Sequence, residues 1–166
     1  MHIFINQKYL TFNNYKVKCA IGKKGIQDEK KEGDLITPRG KYKVKYILCR
    51  KDRVKKIRSE VRIIKIKKNM GWCDDPRSRN YNQLINLPSN YRHEKLFKKE
   101  NTYDIVLVLN YNMRPIKKNK GSAIFIHVSK KNFKKTEGCV AVQKRYLLKI
   151  VKEIKKNTKV MIENQK

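Results

Sequence analysis

The chain has 166 residues, 39% of them apolar and 34% charged, which suits one domain with its own core. Lys and Arg number 43 against 14 Asp and Glu, a formal net charge of +29. No run of about 18 consecutive apolar residues occurs, which excludes a membrane-spanning helix, and there is no repeat or low-complexity block.

A positive excess of this size invites an anionic partner: nucleic acid, a membrane surface or an acidic polymer. Its distribution argues otherwise. Lys outnumbers Arg 33 to 10 and is scattered over nearly every segment, alongside abundant Ile and Asn. A nucleic-acid footprint clusters on one face, often with Arg. The charge therefore reads as compositional drift, and no specific nucleic acid is expected. Cys19, Cys49, Cys73 and Cys139 show neither CxxC nor metal-ligand spacing. The first three read as small buried apolar residues. The N-terminal MHIFINQKYL has no basic start, long apolar stretch or small-residue cleavage site, so no export signal is readable.

In chain order, His2 to Ile5 and Lys8 to Phe12 are short β-prone runs, and Asn13-Asn14 suits a hairpin turn. Tyr15, Val17 and Cys19 alternate with Lys16 and Lys18, which predicts a half-buried strand. Gly22 to Gly40 is a long polar loop ending in GDLITPRG, with turn chemistry at Pro38 and Gly40. Loops of this length in compact domains are usually functional or disordered, so it is expected to rim a site. Tyr42, Val44, Tyr46 and Leu48 predict the next strand, and Lys51 to Arg58 a charged tip.

Val61 to Lys67 predicts another strand, and Gly71 to Pro76 an irregular segment containing the only Trp. Trp72 serves either as a core anchor or as the wall of a cleft, and the core is the simpler assignment. Asp74 and Asp75 read as loop caps rather than a metal pair. Tyr91 to Lys99 is expected to form a short helix carrying His93. Tyr103 to Leu109 is the most apolar strand and should be central. Asn110 to Lys120 is a loop, and Ala123 to Val128 a strand. From Gln143 to Lys156, Leu147, Ile150, Val151 and Ile154 recur at helical spacing, predicting one long amphipathic helix. Lys159 to Ile162 closes the chain as a strand.

The chemistry gathers between Gly121 and Val142, GSAIFIHVSKKNFKKTEGCVAV. His127 ends an apolar run and Cys139 follows a glycine. Two strands joined by a loop bring such residues side by side, as a thiol nucleophile and its base require. Gly138 lets the backbone approach a substrate closely, and amides around Cys139 suit a developing oxyanion. Lysines 130, 131, 134 and 135 and the following helix should lower the thiol pKa. A backbone carbonyl or Ser129 is expected to orient the imidazole. The alternative is a buried cysteine and a strand-end histidine with nothing between them.

GSAIFIHV followed by TEGCVAV resembles the catalytic segment of the L,D-transpeptidase family, the YkuD-type domain. GDLITPRGKYKV, WCDDP…YN and YDIVLVLNYN are similar to further features of a bacterial subgroup, so the likeness runs from about Ile21 to residue 163. Three departures stand out. Glu137 replaces a histidine, Ala141 replaces an arginine linked to substrate handling, and Val128 replaces a glycine.

The resemblance implies a mainly β fold, a YkuD-type sandwich or barrel with the C-terminal helix packed outside, over a single domain of residues 1–166. It implies Cys139 as nucleophile, His127 as general base and acid, and Gly138 as backbone of the oxyanion site. Ser122, Phe125, Thr136, Trp72 and Asn82 are the candidate substrate contacts. The implied reaction is acyl transfer on peptidoglycan stem peptides in the cell envelope: a thioester at Cys139, release of D-alanine and a 3→3 crosslink in cell wall biogenesis. Water or a protein amine are the other acceptors, and the resemblance implies no metal or organic cofactor. A carboxypeptidase or endopeptidase cutting the same bonds is the alternative, and a basic nucleic-acid binder a distant one.

Overall fold

The computed structural model describes residues 1–164; the last two residues of the expected 1–166 domain lie outside them. The chain opens as a meander of β1 (His2–Ile5), β2 (Tyr9–Phe12) and β3 (Tyr15–Ala20). The long polar loop follows, held by a short parallel pair, β4 (Ile26–Gln27) with β5 (Thr37–Pro38). Next come β6 (Gly40–Cys49), β7 (Ile63–Lys65), β8 (Met70–Cys73), β9 (Gln83–Asn86) and β10 (His93–Lys95). A 3-10 turn at Asn101–Tyr103 leads into β11 (Ile105–Leu109), then β12 (Phe125–Val128), β13 (Val140–Val142), the helix α1 (Lys144–Glu153) and β14 (Lys159–Ile162).

β6 is the strand that closes the architecture. Its first four residues pair with β14, and Val44 to Cys49 pair with β11. The ladders then run from β11 through β12, β13, β3, β2, β1 and β14 back to β6, a ring without a free edge. β7 extends β6 in parallel outside the ring. One core fills the space between the ring's inner faces and α1, with Ile3, Leu10, Leu107, Ile126, Leu147 and Ile150 all buried.

β11 is buried along its whole length because both of its faces are covered. Ile105, Leu107 and Leu109 join the main core. Val106 and Val108 point the other way, into a second cluster with Trp72, Phe125, Tyr103 and Leu96. A three-stranded sheet in the order β10-β8-β9 lies over that cluster. Trp72 and Phe125 meet edge to face with centroids 5.0 Å apart, a geometry that aromatic quadrupoles favour.

Three expectations are corrected. Tyr91 to Lys99 is not a helix: His93–Lys95 is an edge strand paired with Gly71 to Cys73. Pairing over Trp72 outweighs local preference, and the charged residues suit an edge. Gly71 to Cys73 is correspondingly strand rather than irregular, with Met70–Cys73 wholly buried. The helix is shorter than its apolar period. It ends at Glu153, because Ile154 is extended and the Lys155 amide turns to the Thr158 hydroxyl at 3.0 Å. Ile154 stays buried, so the stripe continues past the helix that it predicted.

Phe125 sets the spacing between the two layers. Phe125→Ala is expected to lower unfolding free energy by about 3–5 kcal/mol, read as a shift in urea midpoint at constant slope.

Candidate active site

β12 and β13 run parallel, with His127 opposite Ala141. Partners in a parallel ladder point their side chains to the same face, and residues two apart share a face. His127, Ala141 and Cys139, one residue ahead of β13, accordingly all line one cavity of about 550 Å³. The face is that of Phe125 and the second cluster, where the covering sheet stops short. The 3-10 turn supplies the near wall: Tyr103 packs edge-on to the His127 ring at 5.6 Å.

His127 is buried, and its Nδ1 lies 3.0 Å from the carbonyl oxygen of Val128. A carbonyl only accepts, so Nδ1 carries the hydrogen and the neutral ring keeps a bare lone pair on Nε2. The orienting group is thus a backbone carbonyl rather than Ser129. Burial pulls the imidazole down to about 4, so the ring is neutral at physiological pH. Cys139 is half-buried and reachable from the cavity, its Sγ donating to the Ala123 carbonyl at 3.1 Å. The packed surroundings penalise a thiolate and push the thiol up to about 12. Desolvation outweighs the nearby lysines, reversing the expected lowering. At rest the pair is thiol and imidazole, both neutral.

Two threonines hold the turn that presents the sulfur. The Thr136 hydroxyl accepts from the Gly138 amide at 3.1 Å and donates to the Cys139 carbonyl at 2.5 Å. The buried Thr37 hydroxyl accepts from the Gly22 amide and donates to the Gly138 carbonyl, both at 2.8 Å. Gly138 has φ +138, and a β-carbon there would stand 2.8 Å from the Ile36 carbonyl oxygen, so only glycine fits.

The expected substrate contacts divide on this geometry. Ser122 lines the cavity, and its buried hydroxyl has no hydrogen-bond partner among the described residues. Thr136 also lines it, but its hydroxyl is spent on the turn. Phe125 and Trp72 are packed in the second cluster and do not line this cavity. Asn82 does not line it either. Its carbonyl accepts from Trp72 Nε1 at 3.2 Å and the Ala123 amide at 3.0 Å, and its amide donates to the carbonyls of Tyr111 and Asn112. All four of its hydrogen-bonding positions are used. Asn82 fixes Ala123, whose carbonyl receives the thiol, and so acts on the site from behind. Gly138 keeps its place in the turn, but its amide is committed to Thr136.

Sequence reasoning passed over Thr37, Tyr103 and Lys30. Thr37 stood in the GDLITPRG stretch without a role, and Lys30 was one lysine among 33. Asp74 and Asp75 do cap loops: Asp75 accepts from Arg77 and from the Arg92 amide, and Asp74 binds the Arg92 guanidinium.

Residues 1–162 match the YkuD family, the L,D-transpeptidase catalytic domain, a span that begins some twenty residues ahead of the motifs that suggested it. The chain belongs to that family. Among solved structures it is similar to the helical cell shape determining protein Pgp2 from Campylobacter jejuni, with 18% identity and a TM-score of 0.48. The likeness covers 99% of this chain and 47% of that one. No curated protein sequence matches the chain.

Two outcomes are expected from this geometry. Thr37→Val keeps the shape of the side chain but strands a buried amide and a buried carbonyl, at a cost of about 2–4 kcal/mol in denaturant unfolding; Thr37→Ser should recover most of it. The second concerns pH. The unfolded chain binds a proton on His127 below its ordinary 6.5, while the folded chain does so only near 4. Stability should fall as pH drops from 6.5 to about 4, by about 3 kcal/mol, and His127→Gln should remove that slope from the melting profile.

Proposed function

We propose that this member of the L,D-transpeptidase catalytic-domain family is a cysteine acyltransferase acting on peptidoglycan stem peptides. The observation that supports the reading most is the pair itself. A reachable thiol and a buried imidazole, its free nitrogen fixed as Nε2 by Val128, open into one cavity from adjoining parallel strands.

The chemistry follows from a neutral pair. Cys139 Sγ attacks the carbonyl carbon of the scissile peptide bond as its proton passes to His127 Nε2. Attack and proton transfer are coupled, because neither a free thiolate nor a free imidazolium is favoured in this packing. With the Gly138 amide committed to Thr136, the Cys139 amide is the nearer donor for the oxyanion. The C–N bond then breaks, the leaving nitrogen takes the proton from His127, and D-alanine departs. The acyl group stays on sulfur as a thioester. An amine of a second stem attacks that thioester, His127 takes its proton, and the thiol is restored as a 3→3 crosslink forms.

This activity belongs in the cell envelope, where the stem peptides lie, and in the biogenesis and organisation of the wall. No helix among the described residues is long and apolar enough to cross a membrane. Nor do the described residues hold a cluster of three or more metal-ligating side chains, and the mechanism calls on none.

A carbapenem is expected to add once to the intact protein, seen by mass spectrometry, and to leave Cys139→Ala unlabelled. His127→Ala should slow labelling by about 10²–10⁴-fold while the protein stays folded. Between about pH 5 and pH 8 the labelling rate should be flat, since His127 is already neutral; a free-thiolate route would instead rise about tenfold per unit. With stem peptides, dimeric products support transfer, and shortened monomers alone would reassign the protein as a hydrolase.

A further inference from the structure

Lysines that lie scattered in sequence are gathered by the topology onto one sheet face. β3, β2, β1, β14 and the start of β6 are successive neighbours in the ring. Each alternates between the core side and the outer side, and the pairing register carries that alternation across the strands. Lys16 stands opposite Thr11, Thr11 opposite Phe4, Phe4 opposite Met161, and Met161 opposite Lys41, one continuous outward row. On one side of that row Lys18 stands opposite Tyr9, and on the other Lys159 stands opposite Lys43. Five lysines therefore share the face, and none of these strands contains Asp or Glu. Glu163, directly after β14, is the one acidic residue that adjoins any of them in sequence. Among the described residues none of the five lysines is ion-paired.

The face is not only basic. Phe4 is 45% exposed and Tyr9 38%, two of the three large apolar side chains left in solvent among the described residues. Phe4 sits at the middle of the row, with Met161 beside it. The Lys16 ammonium lies over the Tyr9 ring, 4.8 Å from its centroid, so cation and aromatic share the surface. A linear polyphosphate satisfies lysines but offers Phe4 nothing apolar. Nucleotides need free aromatic faces in series to stack on. Here Tyr9 is capped by Lys16, and the neighbours of Phe4 in its row are Thr11 and Met161. A bilayer interface supplies both requirements, phosphates for the ammonium groups and an acyl boundary for the apolar side chains.

We infer that this face docks the protein on an anionic lipid bilayer, with the five lysines at the headgroup phosphates and Phe4 and Met161 at the base of the headgroup layer. The ring fixes which way the docked molecule points. β1 stands four strands from β12 whichever way the ring is followed. His127 faces outward from β12 toward the second cluster, and Phe4 faces outward from β1. Docking therefore turns the Cys139 cavity away from the lipid and toward whatever lies beyond it. The contact is reversible adsorption in which no bond is made, and it does not depend on the acylation proposed for Cys139.

Cosedimentation of the full chain with vesicles tests this. Phosphatidylcholine alone is compared with phosphatidylcholine and phosphatidylglycerol in equal parts, at about 0.15 M salt, where diffuse attraction is screened. Only the anionic vesicles should retain the protein; equal retention by both, or by neither, overturns the inference. Lys16→Gln, Lys41→Gln and Lys159→Gln together should weaken retention about 100-fold. Lys65, Lys67 and Lys68 are exposed and lie outside the ring. Replacing those three by Gln removes the same charge and should weaken retention less than about threefold. Equal losses from the two triple variants would show that net charge alone is responsible, and the docking face would fall. Phe4→Thr, a change that suits a strand, should weaken vesicle retention about tenfold and leave binding to soluble polyphosphate unchanged. Vesicle retention undiminished in Phe4→Thr would make the face a site for a linear polyanion and overturn its assignment to lipid.

Discussion

A single buried hydroxyl joins the two parts of the chain that the site needs. Thr37 accepts from Gly22 and donates to Gly138, bonding residues more than one hundred positions apart in sequence. It reinforces a backbone bridge between the same two segments, in which the Lys23 amide donates to the Thr136 carbonyl and the Thr136 amide to the Ile21 carbonyl. The closeness of this packing explains the glycines around it. A β-carbon on Gly22 would stand 2.4 Å from the Leu35 carbonyl oxygen, and one on Gly138 would meet Ile36. The loop therefore seats only one way, and that seat carries Lys30 to the cavity wall.

The site's electrostatics run against the chain's overall charge. A net charge of +29 suggests a lowered thiol pKa wherever a cysteine lies among lysines. Around Cys139 the reverse holds, because Lys130, Lys131, Lys134 and Lys135 end in solvent, where screening weakens them, and the buried Lys30 is paired with Asp34. Desolvation acts at the sulfur itself. The same packing holds His127 neutral. Both groups thus rest uncharged, and in the proposed reaction charge would separate only as a substrate carbonyl accepts the attack. Burial that would penalise a standing ion pair is compatible with one that exists only in transit.

Asn82 shows how an almost fully buried residue still shapes the site. Its four hydrogen bonds tie Trp72, Tyr111, Asn112 and Ala123 into one unit, and Ala123 supplies the carbonyl that receives the thiol. The second aromatic cluster is accordingly both the core of the covering layer and the floor that sets where the sulfur stands. Phe125 and Trp72 both stand in that floor.

Much of the fold was legible because burial imposes a period. Alternation located β3 and β6, β-prone or apolar runs located β1, β2, β11, β12 and β14, and the helical stripe from Leu147 to Ile154 located α1. The glycine-cysteine turn and the strand-end histidine stood out through their resemblance to a family's catalytic segment, and the parallel pairing of β12 with β13 brings them to one cavity. What tertiary structure alone decided is what depends on partners distant in sequence. His93–Lys95 became a strand because β8 offered it an edge, and the helix stopped at Glu153 because Thr158 captured the next turn. Asn82 and Thr37 became structural posts because their hydrogen-bond partners lie far along the chain. The sign of the Cys139 shift belongs here too: residue type fixes the charges nearby, but only packing fixes how much water is left to support them.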